Sequence, residues 1–130
     1  MTAPNLRNRY LQDSINTASP GQLLVMLYDR LVLDLLQAEE AFGTGDREAA
    51  GERLNHAQEI VLELRTTLDV DAWSGAAGLA SLYSFLLTEL IQANIRRDVA
   101  KVAACRGLIE PLRDAWREAA SLASAGAAVG

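Results

Sequence analysis

Apolar positions recur along this chain at intervals of three and four residues in four successive blocks, the spacing that places them on one face of a helix. The first block opens on Ser19-Pro20-Gly21-Gln22. Ser19 can accept from the Gln22 backbone N–H, Gln22 can reach back to the Ser19 N–H, and Pro20 suits a first helical position. A helix is predicted from Pro20 to about Phe42, with a core stripe of Leu24, Tyr28, Leu31, Leu35, Ala38 and Phe42, ending at Gly43-Thr44-Gly45. Asp46 is an N-cap candidate for a second helix to about Leu68, whose stripe is Ala50, Leu54, Ala57, Val61, Leu64 and Leu68. A third helix is predicted over 76–97, with Leu79, Tyr83, Leu86, Leu90 and Ala93 inward. Asp98 then caps a fourth, striped by Val102, Cys105, Ile109, Leu112, Trp116 and Ala119. Pro111 inside that helix predicts a kink near residues 107–111.

Helices of this length joined by short loops pack most simply as an antiparallel up-down four-helix bundle, so the expected class is all-α. The expected organisation is an N-terminal arm over 1–17, a bundle over 18–120 and a disordered tail over 121–130. Leu6, Tyr10 and Ile15 are apolar residues in the otherwise polar arm.

Two helices carry more apolar surface than one core needs. In the first, Val25, Val32 and Leu36 fall within about 40° of one another on the helical wheel, away from the core stripe, with Met26 and Leu33 beside them. In the third, Ala80, Leu87 and Ile91 flank the inward residues. Such stripes are commonly buried by neighbouring helices, but a four-helix bundle has no central helix. The alternative is a hydrophobic groove that receives partner helices, or a homodimer interface.

Composition narrows the functions. Half the residues are apolar and the net charge is -5, from 17 acidic and 12 basic side chains, which disfavours a nucleic-acid partner. The longest continuous apolar stretch is Leu23 to Tyr28, too short for a membrane span, so direct membrane insertion is not expected and the protein is placed in the cytoplasm. Cys105 is the one cysteine and His56 the one histidine. Cys105 lies on a core stripe and reads as a small buried hydrophobe. His56, with Glu52 and Glu59 one turn away, lacks the second half of a di-metal bundle site and reads as a solvated residue beside carboxylates. No catalytic set, cofactor loop or metal-ligand spacing is present, so neither an enzyme nor a bound cofactor is expected.

The stretch YLQDSINTASPGQLLVMLYD, from Tyr10 to Asp29, resembles the opening of the FliS flagellar secretion chaperones, in which a Tyr precedes a Thr-Ala-Ser-Pro cap and an LL-x-x-LYD helix. ELIQANIRRD, from Glu89 to Asp98, is similar to the end of the family's third long helix. LRTTLD resembles in part the end of its second, and LRDAW, from Leu112 to Trp116, its last. Departures are the Gly21-Gln22 pair, where the family commonly has two acids, and Gly107 with Pro111 in the last helix. The resemblance implies a cytoplasmic export chaperone that binds the C-terminal segment of flagellin, blocks its polymerisation and delivers it to the flagellar export gate. It further implies that Leu24, Leu27, Tyr28, Leu31, Val32, Tyr83, Leu87, Leu90, Ile91 and Asn94 line or support the flagellin groove. Tyr10 and Ile15 would belong to a displaceable cap. The competing expectation is a helical scaffold that spends its extra apolar surface on a homodimer or another partner.

Overall fold

The computed structural model describes residues 19–129, and in them four helices, α1 (Pro20–Gly43), α2 (Arg47–Thr67), α3 (Ala76–Arg96) and α4 (Val99–Val129). The arm, with Tyr10 and Ile15, lies outside the described residues. Three of the four starts are set by a side-chain cap. Ser19 closes the capping box: its N–H donates to Gln22 Oε1 at 2.9 Å, and the Gln22 N–H donates to Ser19 Oγ at 3.2 Å. Asp46 accepts from the Ala49 N–H at 3.0 Å and Asp98 from the Lys101 N–H at 3.1 Å. α3 begins without a side-chain cap.

Cross-helix pairs fix the topology. Asp34 of α1 meets Arg53 and His56 of α2; Asn55 of α2 meets Asn94 of α3 while Arg65 meets Ser84; Glu89 of α3 meets Lys101 of α4. Arg106 and Arg117 of α4 return to Glu39 and Asp29 of α1. In every helix pair tied at two levels, rising numbers on one helix meet falling numbers on the next. The bundle is therefore an antiparallel up-down ring in which α1 packs on α2 and α4, and α3 on α2 and α4, while the diagonal helices α1 and α3 meet through side chains across the interior.

Its interior is filled by Tyr28, Leu31 and Leu35 from α1, Leu54, Ile60 and Val61 from α2, Tyr83, Leu86 and Leu90 from α3, and Val102 and Ile109 from α4. Cys105 belongs to this core, and burial pushes its thiol up to about 11, where it stays protonated and unreactive.

α4 is helical on both sides of Pro111 and continues to Val129 through an Ala-rich run. One expectation differs from the structure. His56 is not a solvated residue beside Glu52 and Glu59: it is half-buried and pairs with the wholly buried Asp34 of α1.

Candidate functional site

α3 is long and apolar enough by composition to cross a membrane, and among the described helices it is the one that is. In the bundle it buries Tyr83, Leu86, Leu90 and Ala93, which leaves much of its apolar surface on its flanks.

The flank toward α2 is marked by two polar pairs, Arg65 Nε donating to Ser84 Oγ at 2.8 Å and Asn94 Nδ2 donating to Asn55 Oδ1 at 3.3 Å. Between Ser84 and Asn94, at helical spacing on the same flank, lie Leu87, half-buried, and Ile91, 43% exposed. Leu62 of α2, exposed and two turns after Asn55, borders them. The flank toward α4 is marked by Lys101 Nζ donating to Glu89 Oε1 at 2.9 Å. Leu82 and the exposed Phe85 share its angular range, and exposed Leu108, seven residues after Lys101, lies on the facing side of α4. Two shallow apolar strips therefore run along the sides of α3, one carrying two polar pairs and the other a single ion pair, able to fix the register of something laid in them.

Beneath the strips the hydroxyls of Tyr28 and Tyr83 share a buried hydrogen bond of 2.6 Å between α1 and α3, bridging the interior that separates these two helices. Burial raises the ionisation of both phenols, so both remain neutral. The Trp116 ring meets Tyr28 edge-on, with centroids 6.3 Å apart. Its Nε1 is buried without an acceptor among the described residues. At this end of the bundle a cavity of about 350 Å³ opens between Pro20, Leu24, Leu68, Trp73, Leu79, Tyr83 and Trp116. Trp73 folds back over Gly75, where a Cβ would collide with the indole. That glycine lets the tryptophan form part of the rim.

The tyrosine pair makes a non-additive prediction. Tyr28→Phe or Tyr83→Phe alone leaves one buried hydroxyl without its partner and is expected to cost about 1–3 kcal/mol, whereas the double change costs less than the sum of the two. Urea unfolding of the three variants checks this; strictly additive losses would mean that the hydroxyls do not depend on each other.

A family model for flagellar protein FliS matches residues 3–123 of this chain. The flagellar secretion chaperone FliS of Bacillus subtilis (strain 168) is 35% identical over 119 residues, covering 92% of this chain and 89% of the relative. The chain belongs to the FliS family. The flagellar secretion chaperone FliS of Salmonella typhimurium (strain LT2) is 32% identical, covering 88% of this chain and 86% of its own. The crystal structure of a bacterial flagellar chaperone shares the fold with a TM-score of 0.72 at 24% identity, over 91% of this chain and 97% of that one.

The residues nominated through the FliS resemblance divide into two layers. Leu27, Tyr28, Leu31, Val32, Tyr83 and Leu90 are buried in the core. Leu87, Ile91 and Asn94 reach the surface strip along α2, and Leu24 stands at the rim of the end cavity. Val32 was expected on a free stripe with Leu36, with Leu33 beside them, but Val32 is buried, while Leu33 and Leu36 remain exposed. The Asn94 side chain binds Asn55 across the α2–α3 flank. Sequence reasoning passed over Leu62, Phe85 and Leu108, each of which becomes part of a strip only when set beside a neighbouring helix.

Proposed function

We propose that this member of the FliS family binds the C-terminal segment of flagellin along the flanks of α3, keeps it from polymerising, and presents it to the flagellar export gate from the cytoplasm. The observation that supports this most is the exposed apolar surface of α3, with Leu87 and Ile91 beside α2 and Phe85 beside α4, over a core that is already filled. An amphipathic segment whose natural partner is another flagellin needs its apolar face covered before export, and two shallow strips joined by one helix suit a ligand that wraps in helical pieces. In this reading Leu87, Ile91, Asn94 and Leu24 meet the ligand. Leu27, Tyr28, Leu31, Val32, Tyr83 and Leu90 support the groove from beneath, and Tyr10 and Ile15 belong to a cap that yields to the ligand. Binding and release need no bond chemistry, so no catalytic residue is assigned.

Ile91→Asp combined with Phe85→Asp is expected to weaken binding of a flagellin C-terminal fragment by about two orders of magnitude, because each places a charge in an apolar contact, while far-UV circular dichroism stays unchanged. Isothermal titration gives the affinity. Undiminished binding by a folded double variant would place the ligand elsewhere. Self-association through these strips with no response to the fragment would favour a scaffold that buries them in a homodimer.

A further inference from the structure

Gly51 lies in the second turn of α2, where glycine in place of alanine weakens a helix. The fold does not require it. A Cβ there would meet one atom, Asn94 Oδ1 of α3, at 3.6 Å, an ordinary contact, and the backbone is not left-handed. Gly78 and Gly107 also lie in helices, over open space; Gly51 differs in what borders it. A glycine that neither a clash nor a positive φ demands, set beside polar atoms, is where a second main chain can come close.

What borders it is a pair of amides with bonding capacity left. Asn94 Nδ2 donates to Asn55 Oδ1 at 3.3 Å, which leaves Asn55 Nδ2 and Asn94 Oδ1 without partners among the described residues. One is a donor and the other an acceptor, the two functions that a peptide group complements. Asn55 is exposed and Asn94 half-buried, so the pair lies at the surface. It also ends the strip between α2 and α3. With Asn55 opposite Asn94 and Arg65 opposite Ser84, the antiparallel register sets Leu62 level with Leu87 and Gln58 with Ile91, and Gly51 lies one turn beyond Asn55. Peptide groups inside a helix are already bonded within it, so a ligand main chain can use both amides only where its own helix stops.

We propose that Gly51, Asn55 and Asn94 form a notch that reads the main chain of the flagellin segment where one of its helical pieces ends. An unpaired C=O accepts from Asn55 Nδ2, an unpaired N–H donates to Asn94 Oδ1, and the chain passes over Gly51. This rests on the reading that flagellin lies along the flanks of α3, and adds the point at which the segment leaves the α2–α3 strip.

The test titrates a flagellin C-terminal fragment into the full-length chain and its variants by isothermal calorimetry, with thermal unfolding of each variant beside it. Gly51→Ala is expected to raise the thermal midpoint by about 2–4 °C, because it restores helix propensity without a clash. The same change is expected to weaken binding about threefold or more, and Gly51→Gln, which lays a longer side chain over the amide pair, at least about thirtyfold. Asn55→Ala removes one hydrogen bond and is expected to cost about three- to tenfold. Stability that rises while affinity falls separates the notch from a glycine of purely structural role, which predicts a higher midpoint with affinity unchanged. With a ¹³C,¹⁵N-labelled fragment, the backbone shifts of the complex are expected to show a helix that stops at the residues whose amide signals respond to Asn55→Ala. The proposal is overturned by a helix that runs unbroken past those residues, or by Gly51→Gln binding like the parent. Ile91→Asp with Phe85→Asp tells the two possible failures apart. If that pair loses the fragment while Gly51→Gln retains it, the strips stand and the notch falls; if neither changes binding, the ligand does not lie on the flanks of α3 and both fall. A homodimer that Gly51→Gln dissolves makes the occupant a second copy and equally overturns the proposal.

Discussion

Val32→Asp is expected to unfold the bundle at neutral pH, lowering stability by more than about 4 kcal/mol, while Leu36→Asp one turn later stays within about 0.5 kcal/mol of the parent. Both residues sit on the apolar stripe that the helical wheel draws on α1. They differ in what lies over them. Arg106 holds Glu39 with Nε–Oε2 at 2.6 Å, and Arg117 holds Asp29 at 2.6 Å, so α4 runs along the flank of α1 between these two anchors. Val32 lies seven residues before Glu39, on the same face, and is 3% exposed. Leu36 is rotated about 40° further from the core and is 43% exposed. An aspartate at the first position is cut off from water, whereas at the second it points into solvent. Urea denaturation followed by circular dichroism separates the two, and equal midpoints would show that α4 does not close over Val32.

That contrast defines what was legible in the sequence. Signals carried by residues three or four apart translated directly: the capping box at Ser19 and Gln22, the Asp46 and Asp98 caps, the left-over glycines of the α1–α2 turn, and the inward stripes of Tyr83, Leu86 and Leu90. Each depends on one helix and its own ends. The all-α up-down ring followed, because four such stripes joined by short loops have few other ways to be buried. What a single helix cannot reveal is which of its flanks a neighbour covers. The same wheel that grouped Val32 with Leu36 therefore ran a buried residue and an exposed one together, and it offered no reason to place Leu62 of α2 beside Ile91 of α3.

The candidate site was legible to the same depth. Surplus apolar residues on α3 announced that the helix has more to cover than one core, and the FliS resemblance supplied a ligand class for that surface. The division into ligand-facing Leu87 and Ile91 and supporting Tyr83 and Leu90 needed the burial of each residue.

His56 is the clearest case of a partner that local reasoning misses, and it leads to the second large effect. Its neighbours by spacing are Glu52 and Glu59, yet its ring pairs with Asp34, 22 residues earlier on another helix. Asp34 is wholly buried and is also held by Arg30 and Arg53, each at 3.2 Å. The burial is lopsided: the carboxylate is sealed, whereas Arg30 and Arg53 are each 31% exposed and His56 is half-buried. A carboxylate stripped of partners cannot recover water, but a cation stripped of Asp34 can turn outward. Replacing Arg53 with methionine and His56 with leucine is therefore expected to cost about 3 kcal/mol, the lower end for a broken buried pair, because Arg30 remains and the lost partners were partly solvated. Asp34→Leu removes the buried charge itself and adds apolar volume to the core beside Leu31, Leu35 and Ala38, so its cost is expected to be about 1 kcal/mol or less. Thermal and urea unfolding at neutral pH measure both variants. Should Asp34→Leu prove the more damaging, the carboxylate stabilises the α1–α2 interface through its ion pairs rather than being a charge that those cations are needed to tolerate.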